Sequence, residues 1–291
     1  MRAFIFPGQG SQSVGMGAQL AEASRAAKDV FDEVDEALGQ NLFRLMRDGP
    51  DEELKLTENA QPAIMAHSMA VLRTLGIELS SVANFVAGHS LGEYSALCAA
   101  GSLDVATTAK LLKLRGQAMQ QAVPVGEGAM AALLGADLAL AQKIAEAASE
   151  GQVCTVANDN DPSQVVISGQ KSAIDRAIGI AKDMGAKRAV PLPVSAPFHC
   201  PLMQPAAEAM RDALSYVVVE QPAVPLFANV TAQPETDPDT IRNQLVEQVT
   251  GMVRWRESVA NMFDAGAHEF IEIGGKVLAS MVKRIAPDAA V

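Results

Sequence analysis

The chain has 291 residues, of which 49% are hydrophobic and 20% are charged. This composition excludes intrinsic disorder, and the length predicts one large unit or a large unit with a small insertion. Acidic residues outnumber basic residues by 34 to 23, so the net charge of -11 provides no overall positive field for nucleic acid or an anionic membrane. Any acidic partner would therefore need a local basic patch.

The cysteines and the apolar runs bear on metals and membranes. Cys98, Cys154 and Cys200 are far apart and form no Cys-x-x-Cys pair, which supports neither a disulfide framework nor a zinc site. The apolar run at 2–6 is too short for a signal peptide, and no run approaches the roughly 18 residues of a membrane span. We therefore expect a cytoplasmic protein without a metal.

The first part of the chain alternates between strand and helix patterns. Apolar runs at 2–6 and 83–88 each end in a glycine-rich turn, which is typical of buried strands. Pro62 is expected in the first turn of a helix, and Asp104 can start another. The predicted elements are a strand at 2–6, helices at 16–38, 41–48 and 62–75, a strand at 83–88, a helix ended by Gly101, and a helix from Ser102 to about Gln121.

Residues 124–194 differ in character and predict a small subdomain. The glycine-rich segment 124–128 can act as a hinge. The elements that follow have the order β-α-β-β-α-β, which is the ferredoxin-like pattern. They are a strand at 129–134, a helix at 137–149, a strand at 153–158, a turn at 158–162, a strand at 164–168, a helix at 171–184 and a strand at 187–192.

Residues 195–291 return to alternating strands and helices, which favours a largely parallel sheet. We therefore predict an α/β fold in which residues 1–123 and 195–291 form a large α/β-hydrolase-like domain. The ferredoxin-like subdomain at 124–194 interrupts it. The predicted elements of the last part are a strand at 225–228, helices near 238–249 and 255–265, a strand at 268–273 and a closing helix from 275.

A candidate nucleophile follows the second predicted strand. Positions 88–92 read Gly-His-Ser-Leu-Gly, which matches the G-x-S-x-G pattern of a nucleophile elbow. This sharp turn exposes the hydroxyl group of its serine, and the motif requires the strand before it and the helix after it. Ser90 is therefore the predicted nucleophile.

Four histidines are available as the base that a serine needs. His67 and His268 have the setting of packing residues, and the side chain of His89 is expected to point away from Ser90. His199 lies in a loop that three prolines make rigid, and we favour it by elimination. No motif marks a triad acid, so a triad and a dyad oriented by a carbonyl group both stay open.

Three ordered segments resemble the malonyl-CoA:acyl carrier protein transacylase family. They read Phe-Pro-Gly-Gln-Gly-Ser-Gln at 6–12, Gly-His-Ser-Leu-Gly-Glu-Tyr at 88–94 and Pro-Phe-His at 197–199. The resemblance covers essentially the whole chain, although the family often has Gly-Pro-Gly where this chain has Gly-Gly-Lys at 274–276. It implies an enzyme that supplies malonyl groups to fatty acid elongation and needs no cofactor. We expect a monomer.

The resemblance implies a catalytic role for five residues. Ser90 is acylated, and His199 acts as its base. The backbone carbonyl group of Gln248 holds the imidazole in place of a triad acid. The backbone N–H groups of Gln9 and Leu91 form the oxyanion hole.

The resemblance also implies residues that bind the substrate. Arg115 binds the malonyl carboxylate, and a planar guanidinium suits this task because it donates two parallel hydrogen bonds. An acyl group without the carboxylate would leave this cation unpaired, which favours malonyl over acetyl groups. Asn160 lies near the mouth of the site. Phe198 is bulky and is expected to exclude an α-methyl branch.

The implied reaction has two halves. Malonyl-CoA acylates Ser90, and the phosphopantetheine thiol of acyl carrier protein then accepts the malonyl group in a ping-pong mechanism. Carrier proteins of this class are acidic, as this chain is, so docking needs local cations. The two candidate clusters are Lys182 with Lys187 and Arg188, and Lys283 with Arg284.

Three alternatives stay open. A serine hydrolase such as a thioesterase shares the nucleophile and the histidine, but the Gln9 loop, Arg115 and the inserted subdomain favour transfer. A non-catalytic subunit that docks the carrier protein would not need an intact Ser90 and His199. A related transferase would take a different acyl group. Fatty acid and polyketide pathways both use malonyl transfer.

Overall fold

Two β-sheets organise the chain, and the computed structural model describes all of it from residue 1 to residue 291. The strands are β1 (Arg2–Phe6), β2 (Phe85–Gly88), β3 (Gly128–Leu134), β4 (Cys154–Asp161), β5 (Gln164–Gln170), β6 (Arg188–Pro191), β7 (Leu226–Phe227), β8 (Pro234–Glu235) and β9 (Glu269–Glu272).

Helices cover both sheets, and none of them is both long and apolar enough to cross a membrane. They are α1 (Ala18–Ala23), α2 (Arg25–Leu38), α3 (Leu42–Asp48), α4 (Asp51–Leu54), α5 (Thr57–Leu75), α6 (Leu79–Val82), α7 (Gly92–Ala99), α8 (Val105–Ala122), α9 (Leu138–Ser149), α10 (Lys171–Ala181), α11 (Gln204–Ser215), α12 (Pro238–Thr250), α13 (Trp255–Asp264) and α14 (Leu278–Ile285), with a short 3₁₀-helix at Pro201–Met203.

The larger sheet has the strand order β8-β7-β2-β1-β9, and all of its strands are parallel except β8. Side chains of β1 alternate between two cores. Phe4 and Phe6 pack in the main core with α2, α5 and α8, while Ala3 and Ile5 pack with α13 and α14. Both faces are therefore covered, as a parallel sheet requires. Because β1 and β2 are adjacent and parallel, the turns after Phe6 and Gly88 meet at one edge of the sheet.

The smaller sheet is antiparallel and has the order β4-β5-β3-β6. One face carries α9 and α10, whose Ile144 and Ile174 pack with Leu133 of β3. The opposite face contributes Met130 to the main core. The predicted α/β fold with an inserted ferredoxin-like unit is confirmed. The limits at 124 and 194 stay predictions.

Several elements differ from the prediction. Ser24 divides the helix expected at 16–38, because its hydroxyl group caps α2 by accepting from the N–H of Ala27. Helix α5 begins at Thr57, so Pro62 lies in its interior instead of its first turn. Leu56 precedes α5 and offers no capping side chain, which explains why the start carried no signal. Helix α11 and strand β8 were not predicted.

Strand β4 continues through the segment expected to form a turn at 158–162. Its polar residues are buried because they bind the large unit. Asp159 pairs with Arg256 of α13, with an N–O distance of 2.8 Å. Asp161 pairs with Arg284 of α14 at the same distance. Two backbone hydrogen bonds to Val253 complete this contact, which holds the small sheet against the large unit.

Candidate active site

The turn between β2 and α7 holds Ser90 in a left-handed conformation with a φ of 56°. Both glycines of the motif are needed for close packing. A Cβ atom on Gly88 would lie 1.9 Å from the backbone of Gly92, and one on Gly92 would lie 2.3 Å from the carbonyl oxygen of Phe6. The turn therefore packs against the end of β1 and presents the Ser90 hydroxyl group at the edge of the sheet.

Ser90 and His199 are in direct contact. The Oγ atom of Ser90 lies 2.8 Å from Nε2 of His199, and Nδ1 of His199 lies 2.8 Å from the backbone oxygen of Gln248. A carbonyl oxygen only accepts, so Nδ1 carries the proton and Nε2 is free to accept from Ser90. Burial, and then the charge of Arg115, lower the pKa of His199 to about 3. The imidazole is therefore neutral at physiological pH and can act as a base.

Gln9 and Leu91 follow the ends of two adjacent parallel strands. Phe6 of β1 pairs with Gly88 of β2, and Gln9 and Leu91 each follow three residues later. Neither N–H donates to a backbone carbonyl group, and both residues line the same cavity as Ser90. Leu91 also directly precedes α7, whose N-terminal dipole favours negative charge.

Arg115 projects from α8 into the same site and is 1% exposed. Its Nη2 atom donates to Oγ of Ser90 at 3.2 Å and to Oε1 of Gln248 at 2.7 Å. Its Nη1 atom donates to Oε1 of Gln61 at 2.7 Å, and Nε has no hydrogen-bond partner. The guanidinium also lies 5.7 Å from the ring centroid of Tyr94. A buried cation thus stands beside the nucleophile with only neutral acceptors.

A buried polar network that the sequence analysis missed supports the elbow. Asn229 follows β7 and accepts from the N–H of Ser90 at 2.8 Å through Oδ1, while its Nδ2 donates to the oxygen of Gly88 at 2.7 Å. Nε2 of Gln248 donates to the oxygen of Ser90 and to Oε2 of Glu93. Gln248 therefore contacts the nucleophile turn, the histidine and Arg115 at once. Asn229 follows the end of a parallel strand, where ligand-binding residues often lie, and this position was the signal that could have marked it.

A cavity of about 400 Å³ opens over these residues. Ser90, His199 and Arg115 line it together with residues of the small sheet, so the site lies between the two units. Gln61 also lines it and was missed. A polar side chain within the otherwise apolar stretch 60–66 was the signal that could have marked it. No group of three or more His, Cys, Asp or Glu residues is arranged to hold a metal ion.

Two residues predicted to bind substrate have different settings. Phe198 lines the cavity next to His199. Asn160 is 6% exposed, and its Oδ1 atom lies 2.8 Å from Nε2 of His89, so it links β4 to the turn that carries Ser90. Asn158, two residues earlier on β4, lines the cavity. The side chain of His89 is thus engaged away from Ser90, as expected.

The two candidate cation clusters differ in availability. Lys182, Lys187 and Arg188 are exposed on the small unit. In the second cluster, Arg284 is paired with Asp161, and Lys283 donates to the carbonyl oxygen of Ala289. The first cluster is therefore the better candidate for a docking surface.

Comparisons with known proteins agree with this geometry. Residues 3–284 match the acyl transferase domain family. The chain is 46% identical over 284 residues to the malonyl CoA-acyl carrier protein transacylase of Escherichia coli K12, covering 97% of this chain and 92% of that one.

Two solved structures are similar to this one. An acyl-carrier-protein S-malonyltransferase from Bartonella henselae superposes with a TM-score of 0.97 at 52% identity, covering all of this chain and 94% of that one. A malonyl-transacylase solved with the acyl-carrier protein of a type II polyketide synthase has a TM-score of 0.96 at 41% identity, covering 99% of this chain and 94% of that one. The chain belongs to the malonyl-CoA:acyl carrier protein transacylase family.

Proposed function

We propose that this chain transfers the malonyl group of malonyl-CoA to the phosphopantetheine thiol of an acyl carrier protein. The observation that carries the proposal is a buried Arg115 that lies 3.2 Å from the nucleophile hydroxyl group and has only neutral hydrogen-bond acceptors. A cation in this setting favours an acyl group with its own carboxylate. The names of the relatives from E. coli and B. henselae support the same substrate.

In the first half-reaction, the Oγ atom of Ser90 attacks the thioester carbonyl carbon while Nε2 of His199 accepts the hydroxyl proton. The N–H groups of Gln9 and Leu91 donate to the developing oxyanion. Collapse of the tetrahedral intermediate breaks the carbon–sulfur bond, and CoA leaves as a thiol after taking the proton from His199. Because the pKa of His199 is lowered to about 3, its imidazole is unprotonated at neutral pH and is available to accept this proton.

The second half-reaction reverses these steps with a different thiol. The phosphopantetheine thiol gives its proton to His199 and attacks the malonyl ester of Ser90. Ser90 then leaves and recovers the proton. The carbonyl group of Gln248 keeps the imidazole in the required tautomer throughout. Two thioesters of similar energy are exchanged, so the reaction runs in both directions.

The remaining expectations extend this proposal. The residues that carry the transfer need no cofactor or metal, and the enzyme works as a cytoplasmic monomer in fatty acid elongation. Residues 124–194 form the inserted subdomain, and the large unit comprises the rest. An acyl carrier protein is the partner, as supported by the related transacylase solved with one. Phe198 limits the pocket beside His199, and Asn160 acts on substrate binding by holding β4 at the cavity wall.

Intact-mass analysis tests the function. Malonyl-CoA is expected to add one malonyl group to the wild type and none to Ser90→Ala, while the exposed control Ser80→Ala behaves as the wild type. Adding holo acyl carrier protein should then move the group to the carrier. Release of free malonate without carrier loading would identify a hydrolase instead. Methylmalonyl-CoA is expected to acylate Ser90 at least about tenfold more slowly, because one extra methyl group must fit beside Phe198.

A further inference from the structure

Arg115 is an unusual cation because no carboxylate accepts a hydrogen bond from it. Its three hydrogen-bond acceptors are the amide oxygens of Gln61 and Gln248 and the hydroxyl group of Ser90. The nearest acid in its network, Glu93, binds Gln248 and has its pKa raised to about 7 by burial. A buried guanidinium is most often paired with an acid. Here two amides occupy the places where such an acid would stand.

The orientation of the Gln61 amide is fixed by its other contacts. Its Nε2 atom donates to Oγ1 of Thr57, one helical turn earlier on α5, at 2.9 Å. The Thr57 hydroxyl group in turn donates to Oε1 of Gln9 at 3.0 Å. Since Nε2 is committed to Thr57, Oε1 must face Arg115. Gln61 therefore presents a dipole, and never a charge, to the guanidinium at 2.7 Å.

Glutamine and glutamate have nearly the same shape, so a glutamate fits this place once the Thr57 hydroxyl group turns its proton from Gln9 to the new carboxylate. It would form a buried ion pair with Arg115 at the same distance and cancel the charge of the site. A malonyl carboxylate entering that site would place a second negative charge beside a single cation, and the two carboxylates would repel each other. An acyl group without a carboxylate would meet a neutral pair.

We propose that Gln61 is a specificity-determining residue, whose uncharged amide positions Arg115 and leaves its charge available for the carboxylate of the acyl group. The proposal rests on the function proposed above, because it requires that Arg115 receives the malonyl carboxylate. It adds that the preference for malonyl over acetyl groups depends on the neutrality of the residue at position 61.

The test compares Ser90 acylation by malonyl-CoA and acetyl-CoA in wild type, Gln61→Glu, Gln61→Met and Arg115→Ala. In Gln61→Glu, the ratio of kcat/KM for malonyl to that for acetyl should fall at least about 100-fold. In Gln61→Met, both rates should fall because Arg115 loses an anchor, but the ratio should stay within about tenfold of wild type. Gln221→Glu makes the same charge change at an exposed site and should leave both rates unchanged.

Each outcome decides between explanations. An unchanged ratio in Gln61→Glu, or equal losses with both donors, would overturn the proposal while leaving malonyl transfer intact. The Gln61→Met variant tests the proposal even if Gln61→Glu does not fold. Because methionine is neutral, the ratio of kcat/KM for malonyl to that for acetyl should not fall as far as it does in Arg115→Ala, and a fall of that size would also overturn the proposal. Failure of the wild type to prefer malonyl-CoA would instead contradict the function proposed above.

Discussion

Glu93 is the least expected residue of the site. It is 1% exposed on α7, and its Oε2 atom accepts from Nε2 of Gln248 and from the N–H of Asn229, while Oε1 has no partner. Burial raises its pKa to about 7, so protonated and ionised forms are both populated near neutral pH. The protonated form keeps its acceptor oxygen and adds no negative charge near Arg115.

The raised pKa predicts that Glu93 makes stability depend on pH. Between its ordinary pKa of 4.5 and about 7, the folded protein holds a proton that the unfolded chain has lost, so the free energy of unfolding falls as pH rises through this range. The loss is at most about 3 kcal/mol. Glu93→Gln keeps the acceptor and cannot ionise, so its urea unfolding energy should decline less between pH 5 and pH 8.

Other ionisable groups, such as His67 and His199, are present in both the wild type and Glu93→Gln. Only the difference between the two curves of unfolding free energy against pH therefore reports on Glu93. Glu247→Gln is the matched control, since Glu247 is exposed on α12 and should leave the curve of the wild type unchanged. Parallel curves for wild type and Glu93→Gln would show that Glu93 is ionised throughout the folded state.

At the scale of elements, the strand–turn–helix unit of β2 and α7 depends on backbone contact with β1. Gly92 allows α7 to approach the end of β1 so closely that Phe6 O would lie 2.3 Å from an added Cβ atom. Real Cβ atoms do not approach backbone oxygens at that distance, so either α7 or β1 would have to move. Residues next to both elements line the cavity, because Leu91 directly precedes α7 and Gln9 lies in the turn after β1.

Gly92→Ala is therefore expected to lower the free energy of unfolding by about 2 kcal/mol or more and to slow the acylation of Ser90. Thermal unfolding and intact-mass kinetics measure the two effects. Gly179→Ala is the matched control, because an added Cβ on this glycine of α10 meets nothing within 4 Å. Helix propensity should make that control equally stable or up to about 1 kcal/mol more stable. Equal stability of Gly92→Ala and wild type would contradict the close approach.

For the whole molecule, charge is the main constraint on partner binding. The chain carries a net charge of -11, and an acidic carrier protein would be repelled by it at long range. Of the C-terminal cations, Arg284 pairs with Asp161 of β4 and Lys283 donates to the carbonyl oxygen of Ala289, so both are engaged within the chain. Lys182, Lys187 and Arg188 remain exposed on the small unit, and β6, which begins at Arg188, leads to the cavity wall at Leu192.

Charge reversal of Lys187 and Arg188 together should raise KM for acyl carrier protein about tenfold or more and leave KM for malonyl-CoA unchanged. The effect should shrink as salt is added, because exposed charges are screened. Lys110→Glu with Arg211→Glu makes the same change in net charge at exposed positions of α8 and α11 and controls for the overall field. Equal increases in both KM values, or equal effects of the two double variants, would argue against a docking patch.

Local rules were enough for much of the fold. Spacing and composition reveal features that lie within one continuous stretch of chain. These features are the apolar runs of β1 and β2, the glycines at 88 and 92, and the β-α-β-β-α-β order. The same rules failed for β4. Its Asn and Asp residues have the composition of a turn, and their burial depends on arginines and a histidine from other elements. The predicted helix at 62–75 was too short, because the start of α5 at Thr57 carries no capping side chain that the sequence could reveal.

Ser90 and its elbow follow from the order of residues along the chain, because a tight turn with two close backbone approaches restricts which residues fit. The partners of Ser90 do not follow from that order. Gln248 is 158 positions away and Asn229 is 139, yet both bind the same turn. Which polar side chains satisfy one another in a buried site depends on which elements meet in space. Folding therefore determined the neutral surroundings of Arg115, from which the selectivity of the site is inferred.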